Sequence, residues 1–507
     1  MRTLITHLLM AAGLAAAPAR PNVVIILIDD FGYECVTANG GESYPTPVRD
    51  GLAARGVRLE QMHAQPLCTP TRVALMTGQG NKRNYTRFGH LDPKERTFGN
   101  YFKDAGYATC VVGKWQLGNG FEGPGLFGFQ EHCLWQLVRR PGRYRNPGLE
   151  INGKEVDYKK DEYGPDLVND YALDFITRKK EQPFFLYYPM MLTHSPYDAT
   201  PDSPDYLTAK SVDGTKELRH FPDMVAYADK MIGKVVARLE ELKLRENTLI
   251  FILGDNGTGS GTRSRFQGRE VVGGKGSSRI WGTHVPGIAS WPGRIATGKV
   301  LGDMIEAADV LPTVCEAAGV PLPSGLSTDG RSFLPQLRGE KGNPKEALYV
   351  WYNPSGGARA LHEFAHDQRH KLYADGRFFD VVADDLEKTP LQEAGLSAEA
   401  KAAKARLQSV LDANRGPRDE YHAKQTEAFG GEKAGKSEPK KKQTGGDSGS
   451  ARFKERDADG DGRITYQEFQ SSMSDKKVAQ ERFKSRDLNQ DGALTLEEFL
   501  KTLPGAI

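Results

Sequence analysis

Two kinds of apolar pattern alternate between residues 20 and 345. The first is short, continuous and largely β-branched or aromatic: Asn22 to Ile28, Ala108 to Val112, Phe184 to Tyr188 and Thr248 to Leu253. A run without polar alternation predicts a strand buried on both faces, as in a parallel sheet. The second has apolar residues at helical spacing, as from Ala226 to Leu239. Pro47 to Arg55 predicts another helix, capped by Thr46, opened by Pro47 and closed by Gly56. This alternation predicts an α/β fold, a large mostly parallel sheet flanked by helices.

Beyond residue 345 the pattern changes. Ala347 to Tyr352, His370 to Ala374 and Arg377 to Val381, around an Asp375-Gly376 turn, predict a small C-terminal antiparallel subdomain over 346–414. A helix from Ala398 to Asn414 closes it. Residues 415–450 are polar and rich in Gly, Lys, Glu and Ser, which predicts a flexible linker. Residues 451–507 repeat at an offset of 30, with Arg452-Phe453-Lys454 recurring as Arg482-Phe483-Lys484. Each copy carries oxygen side chains at loop positions 1, 3 and 5, glycine at 6 and glutamate at 12, the EF-hand pattern. The expected Ca²⁺ ligands are Asp457, Asp459, Asp461, the carbonyl of Arg463 and Glu468, then Asp487, Asn489, Asp491, the carbonyl of Ala493 and Glu498. The segment is predicted as an all-α EF-hand pair.

Composition narrows the setting. Formal net charge is +2 over 507 residues, so no global field favours a nucleic-acid partner. Residues 1–19 combine one arginine, a short apolar core and Ala17-Pro18-Ala19, which reads as a signal peptide. No later run is apolar and long enough to span a membrane. The expectation is a secreted or periplasmic catalytic domain over 20–345. Five cysteines, Cys35, Cys68, Cys110, Cys133 and Cys315, are too sparse for a disulfide scaffold.

The chemistry sits at strand ends. The first strand runs into Asp29-Asp30, and the Thr248 strand into Asp255-Asn256. Open α/β sheets bind ligands off the carboxyl ends of their strands. Four oxygen donors there predict a site for Ca²⁺ or Mg²⁺ and disfavour zinc. Between them in sequence lies Cys68-Thr69-Pro70-Thr71-Arg72, at the start of a helix-like run. Taken alone, this is a packed thiol, or a reactive one whose pKa a helix N-terminus lowers.

The pentapeptide resembles the signature of the type I sulfatases, formylglycine-dependent enzymes of the alkaline-phosphatase superfamily. Gly113-Lys114-Trp115-Gln116-Leu117-Gly118, Thr193-His194-Ser195-Pro196 and Lys275-Gly276-Ser277-Ser278 follow in that family's order. The resemblance spans roughly residues 20 to 410. It implies that a formylglycine-generating enzyme converts Cys68 to formylglycine, whose hydrate attacks sulfur while resting on the cation. It further implies that Asp29, Asp30, Cys68, Asp255 and Asn256 hold the metal and Arg72 the hydrate. Lys114 and Lys275 would bind the sulfate, and His194 would protonate the leaving alcohol. Gln116 departs from the family, which has histidine there to take the hydrate proton, a step glutamine cannot perform. His284 replaces a usual arginine. The expected substrate is a sulfated small molecule or glycan, with Tyr144, Arg145, Arg263, Arg265 and Arg269 as candidate contacts. The alternatives are a phosphodiesterase or phosphonate hydrolase of the same superfamily, or a non-catalytic Ca²⁺-binding protein.

Overall fold

The computed structural model describes residues 20–209, 218–354 and 361–430, residues 461–471 and 489–501, and scattered positions around those two segments. The expected signal peptide and residues 431–450 of the expected linker lie outside the described residues. The chain divides into two compact units, Met1–Gly431 and Glu432–Ile507.

In chain order the first unit's strands are β1 (Asn22–Ile28), β2 (Val57–His63), β3 (Ala108–Lys114), β4 (Glu131–Trp135), β5 (Gly148–Ile151), β6 (Lys154–Asp157), β7 (Phe184–Pro189) and β8 (Thr248–Gly254), followed by the hairpin β9 (Arg263–Phe266) and β10 (Arg269–Val272), then β11 (Gly287–Ser290) and β12 (Lys299–Glu306). Ten of them form one sheet in the order β12-β2-β11-β8-β1-β7-β3-β4-β5-β6. Its centre, β8-β1-β7-β3-β4, is parallel throughout. Antiparallel pairings flank that centre, so the sheet is mixed.

The unbroken apolar run of β1 has a direct cause. Val23, Ile25 and Leu27 face one core, with Val73, Leu75 and Met76 of the helix Cys68–Thr77. Val24, Ile26 and Ile28 face the other, with the helices Gly164–Arg178 and Phe221–Glu241. Each such side chain contributes about 1.5–3 kcal/mol on burial, so both faces must be apolar.

The helix Pro47–Ala54 forms as expected but is capped differently. The Thr46 side chain caps no backbone N–H of the helix. Instead Asp229, on the helix Phe221–Glu241, accepts from the backbone N–H of Val48 (2.8 Å) and Arg49 (3.1 Å) and pairs with the Arg49 guanidinium. A carboxylate is the better acceptor at a helix N-terminus.

A four-stranded antiparallel sheet follows: Leu348–Tyr352, His362–His366, His370–Tyr373 and Phe378–Asp380. The helix Ala398–Ala413 packs on it through Ala400, Leu407 and Leu411. The expected linker departs from expectation at its start. Glu420–Gly430 is helical, Arg418 donates to the carbonyls of Lys82 (2.8 Å) and Tyr85 (2.6 Å), and Tyr421 donates to Asp92 (2.7 Å). Local polarity masked a segment that binds the first unit through polar contacts.

In the second unit, Arg463–Thr465 pairs antiparallel with Ala493–Thr495. Phe453, Ile464, Phe469, Phe483, Leu494 and Phe499 form its core. The pair is therefore helical with a short two-stranded ladder between its loops.

Candidate active site

Four parallel strands deliver their carboxyl ends to one place. β1 ends in Asp29 and Asp30, β8 in Asp255 and Asn256, β3 in Lys114, and the segment after β7 carries His194. Gly113 precedes Lys114 at φ +112°, and a Cβ there would lie 2.0 Å from the carbonyl oxygen of Pro189. Only glycine permits that approach. Asp30 also sits at positive φ (+56°), and its N–H donates to Asp255 (3.0 Å), which holds the strained turn.

Cys68 begins the helix Cys68–Thr77 and is 1 % exposed. Thr71 braces the entry to that helix, accepting from the N–H of Gln65 (2.9 Å). One turn on, the buried Arg72 donates to Asp255 (3.0 Å) and to the Lys114 carbonyl (3.0 Å). Lys114 Nζ donates to Asp29 (2.7 Å) and Lys275 Nζ to Asp30 (2.6 Å). His194 Nε2 lies 3.7 Å from Asp30, and Nδ1 faces the Ser195 carbonyl at 2.6 Å. A carbonyl only accepts, so Nδ1 carries the proton and Nε2 offers its lone pair to the site.

The small antiparallel sheet supports this arrangement. Tyr352 donates to the Gly276 carbonyl (3.2 Å), Lys371 to the Ser278 carbonyl, and the Tyr373 and Ser278 hydroxyls bond at 2.9 Å. The loop that presents Lys275 is thereby held from the C-terminal side.

The electrostatics follow from burying three carboxylates together. Burial would raise Asp29, but Lys114, His194, Arg72 and Lys275 outweigh it and hold the carboxyl far below its ordinary range. Burial likewise opposes ionisation of Asp30, and His194 and Lys275 win. Asp255 is the group left over: burial and the neighbouring Asp29 push it up to about 7 although Arg72 pairs with it. Burial also raises the Cys68 thiol, more than Lys114 lowers it. Desolvation and two nearby carboxylates thus act against the lowering that a helix N-terminus alone would give.

Asp29 Oδ1 and Asn256 Oδ1 are buried without a hydrogen-bond partner. Each such orphan costs about 1–3 kcal/mol. Ligand atoms of Asp29, Cys68 and Asp255 lie within 4.8 Å of one another, as do those of Asp29, Asp30 and His194. Crowded, orphaned oxygens around a raised carboxyl fit a hard divalent cation.

Other expected residues fall elsewhere. Gln116 is 5 % exposed at φ +57°, with its amide oxygen unpartnered. His284 is half-buried and stacked on Tyr33 (3.9 Å) and His63 (5.1 Å). The candidate substrate contacts are mostly engaged: Arg145 with Asp161, Arg263 with Glu270, Arg265 with Glu42 and Arg269 with Asp385. Tyr144 is buried and donates to the Met191 carbonyl. The neighbouring Arg143, which sequence reasoning missed, is 8 % exposed with Nη1 unpartnered.

In the second unit, the carboxylates of Asp457, Asp459 and Glu468 lie within 4.8 Å of one another. Asp457 accepts from the N–H of Asp461 (3.1 Å) and Gly462 (2.9 Å), and Asp487 from those of Asp491 (3.2 Å) and Gly492 (2.9 Å). Gly462 and Gly492 both take positive φ. Arg463 and Asp491 form an ion pair between the two loops.

The site thus brings a buried cysteine at a helix mouth together with strand-end carboxylates and two lysines. A sequence model of the sulfatase family matches residues 21–320, so the chain belongs to that family and is a sulfatase. A model described as N-sulphoglucosamine sulphohydrolase, C-terminal, matches 281–413, and an EF-hand model matches 451–474 and 480–503. The chain is 32 % identical over 380 residues to N-acetylgalactosamine-6-sulfatase of Canis lupus familiaris, covering 67 % of this chain and 71 % of the relative. It is 31 % identical to arylsulfatase A of Homo sapiens, covering 68 % and 73 %. Among solved structures, Ps i-CgsB superposes with a TM-score of 0.67 at 23 % identity, over 81 % of this chain and 98 % of that one.

Proposed function

We propose that this sulfatase releases sulfate from a sulfated glycan, with Cys68 matured to formylglycine and a divalent cation, Ca²⁺ or Mg²⁺, held by Asp29, Asp30, Asp255 and Asn256. The observation that carries the reading is the burial of Cys68 within ligand reach of Asp29 and Asp255, where desolvation raises its thiol. Such a thiol is a poor nucleophile. A formylglycine hydrate would supply two hydroxyls there, one to attack sulfur and one whose collapse expels sulfate. The cation would supply charge that acidifies the attacking hydroxyl.

The chain's own residues do the rest. Lys114 and Lys275 place two ammonium groups at the cage and stabilise charge on the sulfate oxygens. Arg72 fixes Asp255 and the Lys114 carbonyl in register. His194, locked with its lone pair on Nε2, takes a proton and hands it to the leaving alcohol. Gln116 orients a hydroxyl without accepting its proton. The relative named for N-acetylgalactosamine-6-sulfate supports a sulfated amino sugar or related glycan. The EF-hand loops bind Ca²⁺ through the residues named from sequence. Among the described residues no helix is long and apolar enough to cross a membrane, and the N-terminal pattern supports a secreted or periplasmic location.

Mass spectrometry of the Cys68 peptide after co-expression with a formylglycine-generating enzyme tests the nucleophile. The expected result is the aldehyde; an unmodified thiol in active enzyme rejects it. Sulfate release from a panel of sulfated glycans, set against a phosphodiester, tests the substrate. Faster phosphodiester cleavage would overturn the sulfate reading.

A further inference from the structure

β3 and β4 run parallel, and Lys114 is registered beside Trp135. Parallel neighbours in register share a face, about 4.8 Å apart. The Arg143 guanidinium lies over the Trp135 ring at 4.0 Å. It therefore stands one strand and one ring stack outward from the lysine assigned to sulfate. The Arg143–Tyr144 turn is tied to the segment carrying His194, because Tyr144 Oη donates to the carbonyls of Met191 (3.0 Å) and His194. Gly164 backs the same turn closely: a Cβ there would lie 2.0 Å from the Arg143 carbonyl oxygen.

Three polar side chains at this edge have unmet capacity. Arg143 has a buried Nη1 without a partner, and among the described residues no carboxylate pairs with it. Gln116 and Gln136 follow the ends of β3 and β4, both at positive φ, both with a buried unpartnered amide oxygen. The Gln116 N–H points to the Gln136 carbonyl at 3.5 Å, so the two residues are neighbours. A desolvated guanidinium without an anion is costly. Stacking on Trp135 returns only part of that cost, about 0.5–2 kcal/mol. An anion supplied by the substrate would complete it, and sugar hydroxyls suit the two amides.

We propose that Arg143 is a specificity-determining residue that binds a second anionic group of the glycan, a carboxylate or a further sulfate, beside the sulfate being cleaved. The inference rests on the glycan-sulfatase reading above. It makes a polyanionic glycan a better substrate than an isolated sulfate ester.

The test is steady-state kinetics of wild type, Arg143→Gln and Arg143→Lys on four substrates: a disulfated oligosaccharide, a sulfated oligosaccharide bearing a uronate, a monosulfated neutral sugar and 4-methylumbelliferyl sulfate. Arg143→Gln is expected to lose about ten- to hundred-fold more kcat/KM on the first two than on the last two, the worth of one charge-assisted pair. The loss should fall mainly on KM, and Arg143→Lys should recover part of it. Whichever of the first two substrates suffers more identifies the anion. Equal losses on all four, in variants with wild-type thermal unfolding, overturn the inference and leave the glycan reading standing. If Arg143→Gln does not fold, the same comparison is read from Arg143→Lys. Wild-type turnover of the aryl sulfate but of no glycan overturns the glycan reading, and this inference with it.

Discussion

The active-site cage and the EF-hand loops both gather carboxylates around room for a hard cation, by opposite means. The cage draws on residues far apart in sequence, Asp30 and Asp255 being separated by 225 positions. Its donors are buried, and Arg72, Lys114 and Lys275 already neutralise much of their charge. Each EF-hand loop draws on one contiguous segment held by the loop's own N–H groups; Asp457, Asp459, Asp461 and Glu468 of the first are half-buried or exposed, while Asp487 and Glu498 of the second are buried. A cage built from sheet ends takes its shape from the whole fold. A loop built locally takes its shape from its ion.

The sharpest way to break that contrast is to remove one cage carboxylate. Asp255→Ala leaves the Arg72 guanidinium fully buried and unpaired. Losing one partner of a buried pair costs about 3–5 kcal/mol, and sulfate release should fall at least ~10³-fold, since the charge that orients the site is lost. Denaturant unfolding together with aryl sulfate turnover measures both; near wild-type stability would show that the cage does not depend on its internal ion pairs.

Acid offers a second way, aimed at a cluster of packed histidine rings in the first unit. His63 packs between His284 (5.1 Å) and His366 (4.6 Å), where β2 meets the C-terminal sheet. Burial, reinforced by Lys371, lowers His366 to about 4, and burial lowers His284 to about 4. The folded state keeps these rings neutral, whereas the unfolded chain protonates near 6.5. Stability is therefore full above pH 6.5 and lost as pH falls toward 4, by about 3 kcal/mol for one such ring. Unfolding in urea at pH 7.5 and 5 should show the loss, and His366→Gln should flatten it. An unchanged slope in that variant would assign the acid sensitivity elsewhere.

What the sequence disclosed divides along the same line. The EF-hand loops were fully legible, because every ligand lies within twelve residues. The strand-end acids were legible because burial on both faces leaves an apolar run before each polar step, whereas Cys68 stood out only through the pentapeptide it begins. Pairings across the fold were not. Asp229 caps a helix 180 residues away and displaces Thr46 from that task. Glu42 accepts from Arg265 across 223 positions, a pairing that sequence spacing does not disclose. Arg143 was passed over for its neighbours Tyr144 and Arg145, and only tertiary contact separates Arg145, paired with Asp161, from Arg143, whose Nη1 is buried without a partner.

Gln116 gives the cage a gain-of-function test. Histidine tolerates positive φ better than most residues, so Gln116→His should fit the present backbone and restore the proton acceptor that the family carries at this position. General base catalysis contributes about 10²–10⁴-fold where geometry is ideal. A gain of about ten-fold in kcat is expected for a group placed without optimisation, and the pH–rate profile should acquire a limb near the histidine pKa. A loss of activity would mean that glutamine holds a hydrogen bond the reaction needs.

The mildest change should come from the loops. Glu468→Gln removes the carboxylate at loop position twelve, where two oxygens normally reach the ion. Calorimetry should show Ca²⁺ affinity at that loop weakened by about ten- to hundred-fold, the range for losing one charged contact. Turnover on an aryl sulfate should stay within about two-fold of wild type, because every donor of the cage belongs to the first unit. A large fall in turnover at saturating substrate would instead mean that calcium in the loops controls the first unit. The separation between a fold-built and an ion-built site would then fail as a description of how this enzyme works.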